Sequence, residues 1–215
     1  AESADNIRHV MRSDAVLVKP DAPLVPTDDA IVAEASSVDR SSKPPMVAWT
    51  YSDHDAGRAV YAFAYSRGSG PQAISVVPSK LGLPGPAYVD DYFGRRGRVL
   101  QAGEAFTDTV SDGTYYVVAP IGASGIAFLG DSGEYARLGG KRISAVADDG
   151  AVHATVEFAA GETGVTLLGY SPSAPTASVV GGSAEPLTFD AVTGRFTVLI
   201  HPDGAPGSVI VSLSR

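Results

Sequence analysis

From Met46 to its end the chain is a succession of short runs of β-branched and aromatic residues, each closed by glycine, proline or an Asp-Gly pair. Met46-Val-Ala-Trp-Thr-Tyr51 and Ala59-Val-Tyr-Ala-Phe-Ala-Tyr65 open the series, parted by the turn-like stretch Ser52 to Gly57. Further runs fall at Ala73–Val77, Ala87–Phe93, Tyr115–Ala119, Gly125–Leu129, Arg142–Ala147, Val152–Phe158, Val165–Tyr170, Arg195–Ile200 and Ser208–Leu213. Asp148-Asp-Gly150, between two alternating runs, is a hairpin signal, because Asp-Gly tolerates the positive φ that tight hairpin turns require. Strands this short and this numerous, with no helices between them, exclude a Rossmann or complete α/β barrel fold. They predict an all-β, antiparallel β-sandwich.

Residues 1–44 read differently, as a short mixed α/extended N-terminal arm, leaving 45–215 as the sandwich. Ala4, Ile7, Val10 and Met11 follow Ser3 at helical spacing. Thr27 is a candidate N-cap, Asp28 and Asp29 suit the positive end of a helix dipole, and Ile31, Val32 and Ala35 supply an apolar face. Between the two, Ala15 to Val18 predicts a short buried strand. Pro20, Pro23 and Pro26 predict a strap that crosses a surface rather than joins a sheet. Ser41 to Pro45 reads as a linker. The arm's aliphatic side chains are each worth roughly 1.5–3 kcal/mol when fully buried, so it is expected to lie on a larger body.

Composition removes whole classes of function. With no cysteine, thiol nucleophiles, thiolate zinc sites and disulfides are excluded. A net charge of −8 argues against nucleic acid as a partner, and the basic cluster Arg95-Arg96-Gly97-Arg98 reads as a solvated hairpin tip. No apolar run approaches the ~20 residues of a membrane-spanning helix. The sequence begins at Ala1 without an initiator Met or a signal h-region, so the chain is expected to be a processed or excised piece. Its compartment is left open between secreted and cytoplasmic, with secretion favoured.

No catalytic constellation is expected. His54 and His201 fall in turns, His153 alternates out of an apolar strand, and Gly122-Ala-Ser124-Gly lacks nucleophile-elbow spacing. Asp53-His54-Asp55 and Asp90-Asp91 offer too few ligands for a metal, and the two aspartates of the second pair point to opposite faces of a strand. Gly68-Ser-Gly70 and Gly139-Gly140-Lys141-Arg142 precede no helix and are read as turns rather than phosphate loops. No metal and no cofactor are expected. The aromatics Trp49, Tyr51, Tyr61 and Tyr65, with Phe63, are the candidates for stacking on sugar rings; packing in the core is the competing fate.

Several stretches resemble a known family in order and spacing. They are Tyr88-Val-Asp-Asp-Tyr-Phe-Gly94, Tyr115-Tyr-Val-Val-Ala-Pro-Ile121, Ser124-Gly-Ile-Ala-Phe-Leu-Gly-Asp131, Gly140-Lys-Arg-Ile143, Gly161-Glu162 and Leu168-Gly-Tyr-Ser171. Together they are similar to the C-terminal β-sandwich that follows the catalytic barrel in bacterial relatives of α-galactosidases and raffinose synthases. Met11 to Asp21 and Pro26-Thr-Asp28 resemble the segment where such a chain leaves its barrel, and the likeness covers most of residues 8–200. It implies a non-catalytic accessory domain of a glycoside hydrolase, with the parent's barrel as partner. Residues 1–11 would then lie on the barrel and 14–35 on the sandwich. Lys19-Pro20-Asp21 matches the family's Lys-x-Asp string, but no barrel strands accompany it here and no catalytic role is carried over. The alternative is an independent carbohydrate-binding module; a stand-alone small enzyme is a third reading.

Overall fold

The computed structural model describes residues 6–38 and 43–215, and every run from Met46 onward that was read above as a strand is one. The first sheet has six antiparallel strands in the order β1 (Val25–Pro26), β2 (Met46–His54), β3 (Gly57–Tyr65), β8 (Gly113–Pro120), β5 (Ala87–Asp91) and β6 (Arg96–Leu100). A separate two-stranded antiparallel sheet of β4 (Gln72–Val76) and β7 (Phe106–Val110) covers one of its faces, where Ile74, Val76 and Phe106 meet Val60, Ala62 and Val118.

Its other face packs on a second sheet that contains β9 (Ala127–Asp131), β12 (Val165–Tyr170), β16 (Arg195–Pro202), β14 (Gly182–Ala184) and β15 (Thr188–Asp190). Tyr61, Tyr88 and Val117 there meet Ala127, Leu129 and Leu168. The far side of this second sheet closes on a third, β10 (Ile143–Asp148), β11 (Val152–Phe158), β17 (Gly207–Ser214) and β13 (Thr176–Val180), around Phe158, Leu167, Phe196 and Leu213. The all-β sandwich is therefore extended into a stack of antiparallel sheets with three apolar cores. Alternation writes this pattern: in β11 each even-numbered residue from Val152 to Phe158 is buried and each odd one is partly exposed.

The arm corrects several expectations. Helix α1 (Asp28–Ser36) forms where expected, with Thr27 as N-cap accepting from the Ala30 amide at 3.2 Å, yet Ile31 and Val32 face solvent and only Ala30 is buried. Ala15 to Val18 is not a strand. A single bridge links Met11 to Leu17, Ala15 sits at φ 64°, and Val18 alone is inserted into the core. The proline-rich middle does join a sheet: Val25 and Pro26 pair with Trp49 and Ala48 as the edge strand, the one place where a missing proline N–H costs nothing. Residues 6–11 also rest on the sandwich, with the Tyr135 amide donating to the His9 carbonyl at 2.7 Å. The helical start expected from Ala4 falls partly outside the described residues; 6–8 are helical. Of the Ser41–Pro45 linker, residues 41 and 42 also lie outside them. Arg95 sits in the β5–β6 turn as read, whereas Arg96 and Arg98 belong to β6.

Candidate functional site

The four candidate stacking aromatics do not form one platform. Trp49 pairs with Ala62 and Tyr51 with Val60, so these two rings share a face with the residues under the β4–β7 sheet. Tyr61, Phe63 and Tyr65 point the other way, because successive side chains of a strand alternate. The Arg58 guanidinium lies 3.6 Å from the Tyr51 ring centroid, over the face a sugar would need, and is held there by two 2.8 Å bonds to Asp53. Trp49 lines a small cleft beside Asp28, Asp29 and Lys80. Tyr61 is 1 % exposed; its hydroxyl donates to Ser52 Oγ and accepts from the Leu138 amide, and burial pushes it up to about 12. Tyr61 therefore has no free ring face. Tyr65 is partly open, as are Trp49 and Tyr51, but no cation among the described residues covers it; it lies beside Phe63 at 5.7 Å, and Phe63 stands opposite Tyr115 on β8.

The other candidates resolve into structural ties. Asp21 of the Lys-x-Asp string accepts from the Asp53 amide at 2.8 Å and pins the arm to β2. His54 bonds the Leu138 carbonyl, and Ser124 donates to Asp148 at 2.7 Å. His153 lies between Ser212 Oγ (2.9 Å) and Asp149 (3.3 Å), the residue types of a hydrolase triad. Three features deny it that chemistry. Nδ1 rather than Nε2 faces the serine, the Asp149 side chain is 79 % exposed, and the amides nearby are committed to the β11–β17 ladder rather than to an oxyanion. Among the described residues no group of three or more His, Cys, Asp or Glu could hold a metal ion.

What the reading by residue missed are two buried charged clusters, each assembled from segments distant in the sequence. In the first, Asp90 is fully buried, with Arg137 at 2.6 Å and Arg195 at 3.2 Å; burial raises its carboxyl and the two guanidiniums oppose that. Tyr88 stacks on Tyr170 beside it, 4.5 Å between centroids. Gly97 is a glycine for this reason: a Cβ there would meet the Tyr88 hydroxyl at 2.0 Å.

The second cluster lines a groove of about 520 Å³ between the arm and the β9 and β12 ends. Arg142 donates two 2.7 Å bonds to Glu162 and lies 3.0 Å from Asp131. Burial acts to raise Glu162, but the Arg142 fork and the Ala159 amide overcome it and hold the carboxyl down at about 2. Glu134 is the exception. It is 3 % exposed, its Oε2 has no hydrogen-bond partner, and burial reinforced by Asp131 pushes it up to about 7. The available signal was a charged residue inside an apolar run, as at Asp90 and Asp131, since a buried charge must find a partner. Which partner depends on the packing of distant segments.

No family model matches the chain, and no curated protein matches it.

Proposed function

We propose that this chain is a non-catalytic accessory sandwich of a glycoside hydrolase related to α-galactosidases and raffinose synthases, bordering or stabilising a catalytic barrel. The observation that supports it most is the outer surface of the arm. Ile7, Leu17, Leu24, Val25, Ile31 and Val32 are each between 43 % and 62 % exposed, while the backbone of the same segment is tied to the body at His9, Asp21 and Thr27. A segment bonded on one side and apolar on the other is suited to lie between two bodies. The carboxylates of the groove also serve structure, since Asp131 and Glu162 are both engaged by Arg142. The chain alone is expected to leave aryl α-galactosides intact; turnover that Asp21→Asn abolishes would overturn this. The gene supplies the wider test. A reading frame that continues upstream of residue 1 into a barrel supports the reading, and one that starts a few codons before residue 1 sinks it.

A sugar-binding module is the second reading, favoured by the partly open Tyr65–Phe63 pair. Calorimetry with oligosaccharides decides it. Weak binding lost in Tyr65→Ala and retained in Trp49→Ala supports this face, whereas no binding by the unaltered chain rejects the module.

A further inference from the structure

The start of the arm is held over the groove by a specific set of contacts. The chain doubles back on itself between Met11 and Leu17, with the Val18 amide bonded to the Val10 carbonyl at 2.9 Å. From this loop Arg12 donates to the Lys141 carbonyl at 2.7 Å, and the Ser13 amide donates to Glu162 at 3.4 Å. His9 bonds the Gly133 carbonyl and its ring lies 5.1 Å from Tyr135, whose hydroxyl donates to Asn6 at 2.9 Å. Glu134 sits between the two residues that His9 grips, Gly133 and Tyr135.

Glu134 is the only carboxyl of this cluster without a cation of its own. Arg142, facing it from the strand side, is committed to Asp131 and Glu162. Arg12, facing the groove from the arm, is paired with Asp14 at 2.6 Å. Of the remaining ionisable neighbours, Asp131 and Glu162 repel a negative charge on Glu134 and His9 attracts it; Arg8 also lines the groove. A buried carboxylate with an unbonded oxygen is costly, and a protonated carboxyl there costs much less.

We propose that residues 6–18 form a proton-gated clasp, seated on the sandwich while Glu134 is protonated and loosened when Glu134 ionises. The sign follows from linkage. With the arm seated, Glu134 is held at about 7 by burial and by Asp131; lifting the arm opens the groove to water and relieves part of that burial, so the seated state binds the proton more tightly. Seating is strongest at and below pH ~4.5, weakens as pH rises to ~7, and changes little beyond. The whole shift would correspond to a loss on the order of a hundredfold in the seating equilibrium, and the share that Asp131 keeps makes this an upper limit. The loosened arm would carry Ile7, Met11 and Leu17 away from the body, so the device couples proton concentration to the surface that the arm presents.

Amide hydrogen exchange on the full chain tests this, with rates corrected for the intrinsic effect of pH. Protection of peptides within residues 6–18 is expected to fall by up to roughly a hundredfold between pH 4.5 and 7.5. Peptides of β11 serve as the internal reference and should not follow. In Glu134→Gln the fall should vanish, with protection constant across the range, and Glu134→Ala should behave likewise. Unchanged protection of residues 6–18 in the unaltered chain, or the same fall in both variants, overturns the proposal.

Discussion

Asp90 and Glu134 are buried almost equally, 0 % and 3 % exposed, and burial raises both carboxyls, yet their surroundings differ in kind. Asp90 lies mid-sheet on β5, reached by Arg137 and by Arg195 from β16 of the neighbouring sheet. Two buried cations then depend on one anion, and two layers are held in register by the arrangement. Glu134 lies in a turn after β9, beside one guanidinium already shared by Asp131 and Glu162. Burial alone therefore does not define a role for a carboxyl. The supply of guanidinium does: with it the acid is a permanent tie, and without it the acid titrates near neutrality.

The sharpest way to break this comparison is to delete both acids. Asp90→Ala leaves Arg137 and Arg195 buried without an anion and is expected to cost about 3–5 kcal/mol, a large part of the ~5–15 kcal/mol available to a domain. Glu134→Ala at pH 5 removes a protonated group with no bond to lose, and its cost should stay within about 1 kcal/mol. Urea unfolding monitored by the fluorescence of Trp49 measures both. Equal costs would mean that the guanidiniums around Asp90 find other partners.

Next in size is the pH dependence. Glu162, held at about 2 against 4.5, contributes stability that is complete above pH ~4.5 and lost as pH falls toward 2. Glu134, held at about 7, acts in the opposite sense: its burial costs least below pH ~4.5, and the cost grows as pH rises to 7. Each swing is about 3 kcal/mol at 1.36 kcal/mol per pKa unit. These two groups alone place the optimum near pH 4.5. Glu134→Gln is expected to abolish the decline between pH 4.5 and 7, and Glu162→Gln the decline below it. Unfolding midpoints that fall equally in Glu134→Gln and the unaltered chain would show that Glu134 is not the group that titrates.

The same physics sets what the sequence disclosed. Runs such as Val152 to Phe158 were legible because alternation between core and solvent is local and has a period of two. β6, with Arg-Gly-Arg at its start, and β13, at a sheet edge, lack that signal and went unread. In the arm, the periodicity of Ile31 and Val32 identified a helix correctly, but periodicity does not say whether a partner covers the face. Parity put Trp49 with Tyr51 and Tyr61 with Tyr65. The pairing of Trp49 with Ala62 then set the two sets on opposite sides, and a shift of one residue would have united them. Asp90 and Arg137 are 47 positions apart, so no local pattern could pair them.

The smallest effect concerns the interior of the Asp90 cluster. The Tyr88 hydroxyl is buried without a hydrogen-bond partner, and so is Asp90 Oδ1, although Arg195 lies 3.2 Å from the latter. Burial, with the Asp90 charge behind it, pushes Tyr88 up to about 12, so the group stays a neutral donor with nothing to donate to. Removing it leaves the ring, its stacking on Tyr170 and the contact with Gly97 in place. A hydroxyl that makes no bond contributes only its desolvation cost, so Tyr88→Phe is expected to be neutral or to stabilise by up to about 1 kcal/mol. A loss of more than about 1 kcal/mol would instead show that the hydroxyl is satisfied, by a buried water bridging it to Asp90. The double variant with Asp90→Asn separates the cases: the two effects should add if Tyr88 is unbonded, and fall short of their sum if a water joins them.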